Sequence, residues 1–185
     1  LPSITNVGTL NVKAKAENKN YKDVTVDYKL KVTRKAVTVT ADNKSKVFGE
    51  KDPELTATVA GTLGDDTVDY KLSREDGEDV GTYTITPSGK AEQTNYKVTY
   101  ATGTLTITKA ETMTLTPELT GKDAEKEYDS KPLSGGATAS VTKGTKITYS
   151  TDGGKTWSET LPSITNVGTL NVKAKAENKN YKDVT

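Results

Sequence analysis

LPSITNVGTLNVKAKAENKNYKDVT occupies Leu1 to Thr25, and the same 25 residues return without one change at Leu161 to Thr185. The offset is 160 residues. Folding constraints tolerate substitution at outward positions such as Lys13, Lys15 and Lys19, so identity over the whole stretch points to recent duplication within an array. The chain therefore reads as one repeat and the beginning of the next. Inside the stretch, Leu10, Val12, Ala14 and Ala16 alternate with Asn11, Lys13, Lys15 and Glu17, a period of two that predicts a strand with one dry and one wet face.

Working outward, Tyr28, Leu30 and Val32 alternate with Lys29, Lys31 and Thr33, and Tyr83 and Ile85 alternate with Thr82, Thr84 and Thr86. Glycine-bearing turns separate such runs at Leu63-Gly64-Asp65-Asp66, Glu75-Asp76-Gly77-Glu78 and Thr151-Asp152-Gly153-Gly154. The best helical candidate, Lys122 to Tyr128, is short and polar, so little or no helix is expected.

A second, weaker period lies within the repeat. Lys35-Ala36-Val37-Thr38 and Lys109-Ala110-Glu111-Thr112 open two related segments. Each continues through an aromatic residue before a Pro (Phe48 and Pro53, Tyr128 and Pro132), a Val-Gly-Thr (Val80-Gly81-Thr82, Val167-Gly168-Thr169) and an Asn-Tyr pair (Asn95-Tyr96, Asn180-Tyr181). This divides the chain into residues 1–34, the latter half of a second-type module; residues 35–109, a complete module; and residues 110–185, a second-type module lacking its last strand. A module without that strand exposes an edge. Completion of residues 110–185 by the amino-terminal piece of a neighbouring molecule is accordingly one expected partnership, beside contacts between neighbouring repeats.

Composition limits the core. Val, Leu, Ile and Phe supply only 34 of 185 residues, few enough for disorder to be considered. Charge opposes that reading, because 26 basic and 25 acidic residues nearly cancel. Thirty-three threonines then favour pleated strands over coil. Small, thin-cored β modules are the expected result, each stabilised by its neighbours.

The residues that are missing narrow the chemistry. Without Cys there is no disulfide, thiolate metal site or thiol nucleophile, and without His the commonest general base and transition-metal ligand are lost. A non-enzyme with no cofactor is expected. A net charge of +1 without a basic cluster offers no footprint for nucleic acid, and no apolar run approaches the ~20 residues of a membrane span.

Residues 35–110 resemble the MBG repeats of the YGX type, found in large surface proteins of bacteria. The likeness runs through Lys35-Ala36-Val37-Thr38-Val39, Phe48-Gly49-Glu50, Asp52-Pro53, Leu63-Gly64-Asp65-Asp66, Leu72-Ser73-Arg74-Glu75, Val80-Gly81-Thr82-Tyr83-Thr84-Ile85, Asn95-Tyr96 and Gly103-Thr104-Leu105-Thr106-Ile107. Phe48 stands where such repeats usually carry Tyr. The resemblance implies mainly-β, β-grasp-like or Ig-like modules joined end to end in an elongated rod. It further implies a secreted, cell wall-attached, adhesin-like protein of a Gram-positive bacterium, and it transfers no catalytic residue.

Ser150-Thr151-Asp152-Gly153-Gly154-Lys155-Thr156-Trp157 is similar to the Asp-box of sialidases and other glycan-handling proteins. Physically it is a hairpin whose Asp satisfies turn amides while the Trp packs beneath, and a sialidase would need more arginines than Arg34 and Arg74. Trp157 is nevertheless the one aromatic worth testing for weak, multivalent binding of mucin-type or other host glycans. Tyr28, Tyr83 and Tyr100 fall on apolar strand faces, and Tyr21, Tyr96 and Tyr181 recur in one context, so packing is their expected role. The acidic turn Glu75-Asp76-Gly77-Glu78-Asp79 lacks the ligand spacing of a calcium loop. Isopeptide bonds between Lys and Asn, known in some wall proteins, have no pairing legible here.

Overall fold

The computed structural model describes residues 1–111, 113–118 and 124–185, and every regular element among them is a β-strand. The candidate helix at Lys122 to Tyr128 falls partly outside the described residues, and Ala124 to Tyr128 contain no helix. Residue contacts group the chain into two compact units. One comprises Leu1–Lys44, Pro53–Asp76 and Tyr83–Leu105; the other comprises Ser45–Asp52, Gly77–Thr82 and Thr106–Thr185. Each unit thus combines part of the 35–109 segment with residues that flank it.

Strands β1 (Gly8–Asn18) and β2 (Tyr21–Val32) form a long antiparallel hairpin, in register from Gly8 opposite Val32 to Ala16 opposite Val24. The next strands are β3 (Lys35–Ala41), β4 (Lys44–Val47), β5 (Ala57–Ala60), β6 (Lys71–Arg74), β7 (Gly81–Ser88), β8 (Glu92–Gln93), β9 (Tyr96–Ala101) and β10 (Gly103–Thr108). They build two four-stranded sheets, ordered β5-β3-β9-β8 and β4-β10-β7-β6. β3 and β9 run parallel, with Val37 opposite Val98 and Val39 opposite Tyr100.

Alternation explains these strands. In β3, Val37, Val39 and Ala41 are buried while Thr38 and Thr40 face out, and in β10 Gly103, Leu105 and Ile107 are buried between exposed threonines. Val37, Val39, Val68, Tyr96 and Val98 form one core cluster, widened by Val59, Tyr70 and Tyr100. On the wet face the hydroxyls of Thr38 and Thr99 lie 3.1 Å apart across the parallel pair. Threonine therefore serves both demands of these strands, a branched Cβ for the pleat and a hydroxyl for the surface.

Beyond Thr108 the strands are short: β11 (Leu115–Pro117) pairs with β13 (Ala137–Ala139), β12 (Leu133–Ser134) with β15 (Ser163–Ile164), and β14 (Thr145–Ser150) with β16 (Lys173–Asn178). Their core gathers Met113, Ala139 and Ala176, flanked by Leu115, Ile147, Tyr181 and Val184.

The two copies of the 25-residue stretch share a register but not an environment. Ala16 pairs with Val24, and Ala176 pairs with Val184. The same side-chain turn follows each, with Asn18 Oδ1 accepting from Asn20 N at 2.9 Å and Asn178 Oδ1 from Asn180 N at 2.9 Å. Ala176 is fully buried where β14 lies beside β16, whereas Ala16 is exposed on the two-stranded hairpin. The expected dry face of β1 and β2 is consequently wet at Ala14, Ala16 and Tyr28. Conversely, Gly8–Val12 is strand against Tyr28–Val32, while the identical Gly168–Val172 forms none.

A matched pair of substitutions checks this contrast. Ala176→Val should overpack its core and cost about 1–3 kcal/mol in urea unfolding, whereas Ala16→Val should change stability by no more than about 0.5 kcal/mol.

Candidate functional site

The Asp-box residues form a closed turn. Tyr149 and Ser158 exchange both backbone hydrogen bonds, at 2.7 and 2.9 Å, and so tie the ends of the loop. Inside it, Asp152 Oδ1 accepts from the amides of Lys155 (2.9 Å) and Thr156 (3.0 Å), while Oδ2 accepts from the Thr156 hydroxyl (2.6 Å). The Ser150 hydroxyl donates to Asp152 Oδ1 at 2.7 Å and accepts from Gly154 N at 2.8 Å. The Thr156 hydroxyl and amide, with the Ser150 hydroxyl, hold the Asp152 carboxyl far below the usual carboxylate range.

Trp157 is half-buried and donates its indole N–H to the Gly154 carbonyl at 3.1 Å. A Cβ at Gly154 would sit 3.5 Å from the indole ring, at a positive φ of 100° that glycine accepts most readily. The motif's residues thus spend their polar groups on one another.

A concavity of about 830 Å³ opens between the β6–β7 and β8–β9 regions, lined by Asp66, Asp69, Tyr70, Gln93, Asn95 and Tyr96 among others. Several of its polar groups are bonded within the protein. Tyr96 donates its hydroxyl proton to Asp66 and accepts from Leu63 N at 3.1 Å, and the bond to Asp66, with burial, raises the phenol above its ordinary value. Gln93 Oε1 accepts from Asp69 N at 2.7 Å while its Nε2 donates to the Asp69 and Lys90 carbonyls. Among the described residues, no group of three or more carboxylates is arranged to hold a metal ion.

A buried cation sits at the opposite extreme of exposure. Lys46 occupies the inward phase of β4, and its ammonium donates to Asp52 Oδ1 (2.7 Å), to Glu78 and to the Glu50 carbonyl (3.2 Å). The bonds to Asp52 and Glu78 raise its pKa above the ordinary 10.5.

The family model described as MBG domain (YGX type) matches residues 37–106. In this segment the chain is similar to MBG domains. No curated protein and no solved structure matches the chain.

The MBG match spans β3 to most of β10 and contains Lys46, Phe48 and the concavity. Phe48 packs edge-on against Tyr181, with ring centroids 5.4 Å apart and planes at 69°. The two arginines are both engaged: Arg34 lies 3.3 Å from Glu92, and the Arg74 guanidinium stands 5.8 Å from the Tyr83 ring centroid. In the acidic turn, the Glu75 carboxylate accepts from Thr84 N across the hairpin (3.2 Å). Of the three recurrent tyrosines, Tyr96 is buried, Tyr181 half-buried and Tyr21 78% exposed. Lys46 is the residue that motif reading overlooks. The sequence carries no local signal for it, since the one apolar residue of β4, Val47, faces out while Lys46 faces in.

Removing the carboxylate by Asp152→Ala should red-shift the emission of the single tryptophan and speed exchange of the Lys155 and Thr156 amides. In the unaltered chain the depressed Asp152 pKa supplies stability that is present above the unfolded value of ~3.9 and is lost as pH falls toward the folded value. The fluorescence change should accordingly appear only in strongly acidic solution.

Lys46 works with the opposite sign. Its raised pKa contributes stability that is whole below about 10.5 and fades as pH climbs through the folded value. Lys46→Met should lower the thermal midpoint at neutral pH and remove that alkaline component, measured by melting between pH 9 and 12.

Proposed function

We propose that this chain is a non-catalytic part of a tandem-repeat stalk, carried on the wall of a Gram-positive bacterium and extending a distal binding domain from it. The observation that carries the reading is the unaltered duplication at 160 residues around a segment matched by the MBG family model. MBG repeats are associated with bacterial surface proteins of adhesin-like character, and a duplicated structural segment adds length without adding chemistry.

Local geometry supports stiffness. Only Thr33 and Arg34 separate β2 from β3, and Ala110 already bridges Tyr181 two residues after β10 ends. Neither passage contains Gly or Pro, so neither has the composition of a flexible linker. Glycan binding is the alternative role, with Trp157, half-buried and anchored through its N–H to the Gly154 carbonyl, as the aromatic to test.

Small-angle scattering tests the stalk. From strand rise and module size, each 160-residue repeat added should lengthen the particle by on the order of 70 Å. A particle whose radius grows only as a compact globule of the same length would overturn the proposal. A signal on a glycan array that disappears with Trp157→Ala would favour the binding alternative.

A further inference from the structure

The same small contact occurs twice, each time between residues belonging to successive modules. Asn95, just before β9, accepts from Val7 N through Oδ1 at 2.9 Å and donates through Nδ2 to Asn6 Oδ1 at 3.0 Å. Asn180, 85 residues later, accepts from Val80 N through Oδ1 at 2.9 Å and donates through Nδ2 to Asp79 Oδ1 at 2.8 Å. The loops that receive these asparagines read Asn6-Val7-Gly8-Thr9 and Asp79-Val80-Gly81-Thr82.

The backbone repeats the pattern. The Asn95 carbonyl accepts from Lys35 N at 2.9 Å, and the Asn180 carbonyl accepts from Ala110 N at 3.0 Å, in each case where the chain enters the module. One asparagine therefore grips its own module's entry strand with its carbonyl and the preceding module's loop with its side chain. At the second junction Phe48 and Tyr181 add their ring contact, and Lys179 reaches Asp79 Oδ2 at 3.0 Å.

A third copy of the loop, Asn166-Val167-Gly168-Thr169, is exposed. Val7 and Val80 are half-buried at their junctions, but Val167 is 91% exposed. Its sequence from Leu161 onward is that of the first loop, which is occupied by Asn95.

We infer that Asx-Val-Gly-Thr and Asn-Tyr are the two halves of a module-to-module joint, and that the Asn166-Val167-Gly168 loop is a docking surface for the Asn-Tyr turn of a further MBG-type module. The fit is chemical as well as positional. A primary amide offers an acceptor and a donor on one planar group, matching the loop's backbone N–H and the side-chain oxygen of the preceding Asx residue. Two joints within one chain supply the template for the third. The inference rests on the tandem-array reading above.

Extending the chain after Thr185 with a second copy of residues 26–185 provides the test. Amide exchange of Val167 should slow about tenfold in the extended protein, and Ala in place of the added counterpart of Asn95 should reverse it. In the 185-residue chain, Asn180→Ala should speed exchange of Val80 about tenfold and leave Val7 unchanged, and Asn95→Ala should do the converse. Asn95→Asp should retain protection, because the Asn6 amide can turn to donate, whereas Asn180→Asp sets two carboxylates together and should lose it.

Unaltered Val167 exchange on extension, or Val80 exchange indifferent to Asn180, would overturn the joint. Scattering from the same extended protein separates this from failure of the stalk. An elongated particle with fast Val167 exchange refutes the joint alone, and a compact particle with slow Val167 exchange refutes the stalk alone.

Discussion

Burial in this protein is decided by whether a strand finds a neighbour. The repeated 25 residues carry the same propensities in both positions and form the same Asn turn and the same Ala-to-Val pairing. Where β14 lies alongside, Ala176 enters a core with Met113 and Ala139; on the two-stranded hairpin, Ala16 remains in water. The lower part of the stretch differs too: Gly8–Val12 pairs with Tyr28–Val32, and Gly168–Val172 is not strand. With so few large apolar side chains, each module depends on adjoining segments to remove its surface from water.

That dependence explains how far the fold was legible. Period-two alternation located most strands of the 35–109 segment because its sheets bury one face each, as Val37-Val39-Ala41 and Leu105-Ile107 show. It located β1 and β2 as strands but not their exposure, since Ala14, Ala16 and Tyr28 lie in water. The Asp-box was readable because the hydrogen bonds made by its Ser150, Asp152 and Trp157 side chains span at most four residues. Lys46 was not, because Glu78 meets it across 32 positions and no local pattern announces that meeting.

The candidate sites share a chemistry of closure. Asp152, Gln93, Tyr96 and Lys46 each direct their polar atoms at partners within the protein. In a chain rich in Thr, Asn and Lys and poor in Leu and Phe, such hydrogen bonds and ion pairs specify the loops that apolar packing would fix elsewhere. Arrangements of this kind preserve shape.

One difference between the two asparagine contacts has a mechanical corollary. The first is made by neutral amides, Asn6 with Asn95, while the second sets the Asp79 carboxylate against Asn180 and Lys179. Dissolved electrolyte weakens attraction between exposed charges and leaves amide pairing nearly untouched. As salinity rises the charged contact would loosen first, while the amide pair kept its grip.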